Sequence, residues 1–140
     1  MQSDKDYSIS YLVKNKILYI ELKSGYGDSG PAWIGEASFS KTGTTVYFNN
    51  RAYKKGQGIS GNHFDIENGD EYWISGIKKN GQDRHWADKG KIMIDRKVID
   101  AYLLQTAQQA IDLKKFEVVE INETRDRSDF NRMENTSIND

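Results

Sequence analysis

A chain of 140 residues suits one compact domain with modest tails. A hydrophobic fraction of 36% and a charged fraction of 29% allow only a small core, with eight Tyr, five Phe and three Trp supplying much of it. A net charge of −1 gives no global pull towards nucleic acid or an acidic membrane, and the lack of cysteine excludes disulfides, thiolate nucleophiles and thiolate metal sites.

The opening Met1–Ser10 is polar, and residues 1–15 read as a flexible N-terminal segment. It carries acids and no apolar run, so a signal peptide is not expected. No apolar stretch approaches the ~20 residues of a membrane helix. The expectation is a cytoplasmic protein with no membrane partner.

Ile17–Lys23 is rich in β-branched and aromatic residues and reads as a strand. Ser24–Pro31 holds three glycines and the only proline, so it is a loop. It lacks the Gly-Lys-Ser/Thr ending of a P-loop, and no helical pattern follows it. Ala32–Ser40 and Thr44–Phe48 form the clearest hairpin, joined by Lys41-Thr42-Gly43. Val46 and Phe48 share one face of its second arm, and Thr45, Tyr47 and Asn49 the other. Asn49-Asn50 predicts a tight turn into a short arm at Arg51–Tyr53, followed by a basic loop over Lys54–Gly61.

Asn62–Glu67 alternates polar and apolar, and Asn68-Gly69 predicts a two-residue hairpin turn into Asp70–Ile77. Lys78–Gly81 gives another turn, and Lys91–Ile94 another short strand. Asp95 is placed to cap a helix. Val98, Ile99, Tyr102, Leu103, Ala107, Ala110 and Ile111 then recur at three and four residues, predicting an amphipathic helix over about 96–114. Phe116–Ile121 reads as a late edge strand, and residues 122–140 as a disordered tail. The expected fold is mainly β (α+β): a small antiparallel barrel-like sheet of short strands over 16–121, with one C-terminal helix packed on it.

His63, Asp65, Asp83 and His85 are the candidate metal or acid–base cluster. Each pair, His63 with Asp65 and Asp83 with His85, shares a face if its segment is extended. Two His and two Asp suit a divalent ion, while the alternative is surface histidines beside solvated carboxylates. Arg51, Lys54, Lys55, Lys78, Lys79 and Arg84 are interleaved with Tyr47, Tyr53, Phe64, Tyr72, Trp73 and Trp86. That mixture describes either a single-stranded nucleic-acid platform or a core whose lysines decorate its turns. Asp83 and Arg84 also suit a local structural pair, Asp capping the turn and Arg bonding sheet-edge carbonyls. The serines sit in no nucleophile elbow, and nothing in the sequence calls for a cofactor.

Gly30-Pro31-Ala32-x-Ile34-Gly35, Phe39–Gly43, Glu71–Gly76 and the Asn80-Gly81-x-Asp83-Arg84 stretch resemble a widespread family of small bacterial proteins. The resemblance covers about residues 16–102 and brings no catalytic or binding residues with it. Some members carry an automatic label as 1-deoxy-D-xylulose-5-phosphate synthase. That label does not suit this chain, which has neither βαβ alternation nor a Gly-Asp-Gly diphosphate motif. The reading of the residues is a non-catalytic interaction module using the face around Trp73, Lys79, Asp83, Arg84 and Trp86, with an unknown protein or small-molecule partner. Its alternatives are single-stranded nucleic-acid binding and a small metal-dependent enzyme.

Overall fold

The computed structural model describes residues 15–27, 29–84 and 90–130. These residues are mostly β. The strands are β1 (Asn15–Leu22), β2 (Ala32–Phe39), β3 (Thr45–Phe48), β4 (Arg51–Lys55), β5 (His63–Asp65), β6 (Glu71–Gly76), β7 (Ile92–Asp95) and β8 (Phe116–Val119). Between β7 and β8 lie a 3-10 turn (Arg96–Val98) and a short helix α1 (Ile99–Thr106). Among the described residues no helix is long and apolar enough to cross a membrane.

Six strands close an antiparallel barrel in the order β1-β6-β5-β4-β3-β2, with β2 pairing back onto β1 from Asn15–Ser38 to Glu21–Ala32. Closure satisfies the strand edges that an open sheet would leave bare. The second edge of β2 is shared. Its C-terminal end pairs with β3 at Ser38–Tyr47 and Phe39–Val46, while its N-terminal half pairs in parallel with β7 at Trp33–Met93 and Ile34–Ile94. β8 then adds to β7, also in parallel. The barrel therefore forks along β2, and β7–β8 forms an annexe beside it.

The two-residue period of the strands sorts the side chains. Leu18 and Ile20 point into the barrel with Val46, Phe48, Tyr53, Tyr72 and Ile74. Gly35 is needed there, because a Cβ at that position would lie 2.5 Å from the Phe48 ring. Tyr19, Ala32 and Ile34 point outwards into a second core, against Ile92, Ile94, Tyr102 and Phe116 of the annexe. Tyr47 and Ala52 face outwards on β3 and β4 and are covered by Phe130.

Four expectations need correction. The sheet is not wholly antiparallel, because β7 joins β2 and β8 joins β7 in the same direction. The helix expected over 96–114 is a 3-10 turn plus eight residues, not a C-terminal cover of four or five turns. It stops because Ala107 turns left-handed at φ 55°, while the Gln108 amide bonds the Leu103 carbonyl. Beyond it Ala107 and Ala110 of the predicted spacing are exposed, while Ile111 packs against the second core from outside any helix.

The expected tail is ordered over 122–130. Asn50 Oδ1 accepts from the amides of Thr124 (2.6 Å) and Arg125 (3.0 Å), and Phe130 is buried. Left-handed Asn49 and Asn50 form the predicted β3–β4 turn and present that oxygen. Finally, the β5–β6 connection is longer than two residues. The Asp65 carboxylate accepts from the Glu67 amide at 2.8 Å and the Gly69 amide bonds the Asp65 carbonyl, winding residues 66–69 into a wider loop. Residues 1–14 and 131–140 lie outside the described residues, and with them the N-terminal segment expected over 1–15, except Asn15 at the start of β1, and the end of the expected tail.

Candidate functional site

The candidate residues divide between the inside and the outside of the barrel. His63 and Asp65 share the inward face of β5, opposite Lys55 and Tyr53 of β4. Arg51 Nε donates to Asp65 Oδ2 at 2.5 Å, and Arg51 also approaches Glu67 at 3.5 Å. Beside this pair the Tyr53 and Tyr72 rings lie with centroids 4.5 Å apart. Burial, then the Lys55 ammonium, depress the His63 imidazole from its usual 6.5 to about 4. His63 is thus neutral at pH 7, with Nδ1 2.9 Å from Asn62 Oδ1.

Asp83 is on the other side of the wall. The Asn80–Gly81 turn follows β6, and Asp83 closes it by accepting from the Lys78 amide at 2.7 Å. Burial raises the Asp83 carboxyl above the usual carboxylate range, opposed by that amide and by the Lys78 ammonium. Its second oxygen is buried without a hydrogen-bond partner. The turn rests on the end of α1. A Cβ on Gly81, which has φ +73°, would meet Gln108 Nε2 at 2.5 Å and the Tyr102 hydroxyl at 3.5 Å. Among the described residues no three His, Asp or Glu side chains gather as a metal site, so Asp83 does not join His63 and Asp65. His85 and Trp86 lie outside the described residues.

Arg84 continues from the turn across the outer wall of β1 and β2, donating from Nη2 to the Gly30 carbonyl at 2.8 Å. It also meets the phenol of Tyr19. That phenol donates to Glu21 Oε1 at 2.5 Å, and Lys23 Nζ donates to Glu21 Oε2 at 3.0 Å. Burial first, and then Glu21, push the Tyr19 hydroxyl up, so it stays a donor. Glu21 itself is buried although it faces outwards. Its cross-strand neighbour Trp73 is 42% exposed. Lys79 is exposed at the corner of the turn.

The turn and the annexe together enclose a cleft of about 740 Å³. Lys78 and Arg84 stand on the turn side, and Lys91, Lys114 and Lys115 on the β7–β8 side, above Ile92 and Phe116. Lys91, Lys114 and Lys115 are the site residues that sequence reasoning missed. Their convergence follows from register. Ile92 pairs with Phe116 in parallel and the Ile92 amide bonds the Lys115 carbonyl, so the residues just before both strands emerge side by side. Like charges in neighbouring positions of a sheet repel each other. Among the described residues none of the four lysines is within ion-pair distance of a carboxylate.

A second groove of about 300 Å³ lies at the fork of the barrel, lined by Glu36, Asp95, Lys97, Glu123 and Arg127 among others. Its charges are of both signs, and Lys97 is 3.6 Å from Asp95. It lacks the one-sided charge of the first cleft. No family model, no curated protein and no solved structure matches this chain.

Proposed function

We propose that the protein is a non-catalytic binding module whose cleft between the 78–84 turn and the β7–β8 edge takes an anionic partner. The observation that carries this reading is five cations, Lys78, Arg84, Lys91, Lys114 and Lys115, around one concavity. Gathering like charges costs free energy that a bound anion returns, and a concave, low-dielectric wall strengthens the attraction. A cleft of about 740 Å³ falls within the range of small-ligand sites. Of the residues singled out in the sequence, Asp83 fixes the turn and Arg84 joins the turn to the wall, while Lys79 is exposed at the corner of the turn and Trp73 is exposed on β6, neither of them lining the cleft. The resemblance to small bacterial proteins fits this reading without adding to it.

The non-catalytic part of the proposal rests on how the acid–base candidates are used. Asp65 is paired with Arg51, Glu21 is held by Tyr19 and Lys23, and His63 is buried and neutral. Each has a structural task, and none of them opens into the basic cleft. Calorimetric titration with tripolyphosphate tests the binding claim. The double variant Lys114→Glu/Lys115→Glu is expected to weaken affinity by about tenfold or more, equivalent to ~1.4 kcal/mol. Equal affinity of wild type and variant would remove the cleft from consideration.

A further inference from the structure

β8 ends the sheet. Among the described residues it is the one strand paired on a single side, since the others close the barrel or lie between two neighbours. An open edge of this kind is a template for another strand. Parallel pairing uses every second residue of a strand, and the Ile92 amide bonds the Lys115 carbonyl at 2.9 Å. Lys115, Glu117 and Val119 therefore turn their backbone groups to β7, while Phe116 and Val118 turn theirs to the open edge. The Phe116 amide is taken by the Asp112 carbonyl at 3.0 Å. Val118 presents both its amide and its carbonyl. The edge also has an electrical direction. It starts at the basic cleft, where Lys91, Lys114 and Lys115 stand around Phe116. Its far end is acidic, with Glu117 exposed and Glu120 3.2 Å from Arg96.

We infer that β8 receives an extended peptide by strand addition, with the peptide's carboxylates seated among Lys91, Lys114 and Lys115. The inference rests on the anion-binding reading of the cleft and adds the partner's class. Backbone bonds to Val118 supply affinity, and the charge direction of the edge sets which end of the peptide meets the cleft. Antiparallel pairing, the more stable kind, brings the C-terminal end there. The partner is therefore uncharged over β8 and acidic at its C-terminal end. A nucleic-acid strand would meet the cations but leave the edge unused. A second copy of this chain fits poorly. Antiparallel pairing of two β8 strands centred on Phe116 needs the amide that Asp112 already holds. Centred on Glu117, it sets like charges opposite each other. Centred on Val118, it sets Lys115 against Ile121 and brings the lysines no carboxylate.

Fluorescence anisotropy with the labelled peptide Thr-Val-Thr-Val-Thr-Val-Glu-Asp-Glu tests the inference, with tripolyphosphate titrated in parallel. Val118→Pro removes an amide that β7 does not use, a change that an edge strand tolerates. It is expected to weaken peptide binding about tenfold or more and to leave tripolyphosphate affinity unchanged, which also shows that the variant is folded. The double variant Lys114→Glu/Lys115→Glu is expected to weaken both ligands. N-methylation of the peptide at alternate residues is expected to abolish binding in one of its two phases and spare the other. Binding of tripolyphosphate without the peptide would overturn strand addition and leave the anion cleft standing. So would peptide binding that is indifferent to Val118→Pro. If Val118→Pro loses both ligands, equal binding of the two methylated phases overturns the inference and unequal binding upholds it. A wild-type dimer in sedimentation that Val118→Pro dissolves would give the edge to a second copy instead. Binding of neither ligand at low salt would overturn both readings.

Discussion

The two sides of the barrel wall treat charge in opposite ways. Inside, Arg51 and Asp65 meet at 2.5 Å, with Tyr53 and Tyr72 packed beside them. Each charge there has a partner, and the neighbouring imidazole of His63 stays neutral. Outside, five cations border a single cleft, and Lys91 and Lys115 are set next to each other by strand register. The inner arrangement makes sense as folding, because an unpaired charge in a core is costly. Of the outer cations Arg84 ties the turn to the wall at the Gly30 carbonyl, whereas among the described residues the four lysines have no carboxylate within ion-pair distance. A group of charges that the fold does not need is a better guide to function than a group it does.

The sharpest test of the inner half is Asp65→Ala, which leaves the Arg51 guanidinium without its buried partner. Breaking such a pair costs about 3 kcal/mol, the low end for buried pairs because Arg51 keeps a third of its side chain in solvent. A urea midpoint within error of wild type would show that the pair contributes little. Tripolyphosphate affinity is expected to be unaffected while the variant remains folded.

His63 contributes a pH dependence of similar size. In the folded chain it remains neutral down to about pH 4, whereas the unfolded residue takes up a proton near its usual 6.5. Between those values the unfolded state binds more protons, so stability is full above about pH 6.5 and falls as pH drops towards 4. The loss reaches up to about 3 kcal/mol. Urea unfolding of wild type and His63→Gln at several pH values isolates this contribution. A constant difference between the two proteins from pH 7 to pH 4.5 would contradict it.

Gly81→Ala acts at the outer site. It places a side chain at φ +73° and against Gln108, at a cost of about 1–3 kcal/mol. The turn carrying Lys78 and Arg84 is then expected to shift from α1, weakening tripolyphosphate binding without any change of charge. Smallest in stability, and opposite in sign, is Lys115→Gln. Removing one of two adjacent like charges is expected to raise stability by a few tenths of a kcal/mol and to lower anion affinity. A variant that loses both stability and affinity would mean that Lys115 serves the fold.

The barrel was largely legible in the sequence because its signals are local. Alternation at Leu18–Glu21 and Val46–Phe48, the turn at Asn49-Asn50 and the glycine turns each act within a few residues. The annexe was less so. β7 and β8 are separated by the whole α1 excursion and pair in parallel, a long-range choice that no local pattern declares. The helix was overread because apolar spacing persists through Ala107, Ala110 and Ile111, while the event that ends it is an alanine in the left-handed region. The docking of 122–130 depends on Asn50 Oδ1 and on a buried place for Phe130 beside Tyr47, neither visible in a polar segment.

The same distinction explains the site. Asp83 and Arg84 stood out because they follow an Asn-Gly turn, and both hold that turn in place. Lys114 and Lys115 fall at the end of the helix that the sequence predicts over about 96–114, yet α1 stops at Thr106 and they belong to the approach to β8. Only the register of β7 with β8 brings them to Lys91, and only the seating of Gly81 on Gln108 brings Lys78 and Arg84 across from them.

The most direct measurement is a map of amide chemical-shift changes as tripolyphosphate is titrated into the labelled protein. Saturable shifts are predicted at Lys78, Arg84, Lys91 and Lys114–Phe116, with Lys54 and Lys55 on β4 silent. Shifts centred on Lys54 and Lys55, or spread evenly over all surface lysines, would contradict a specific anion cleft between the turn and the annexe.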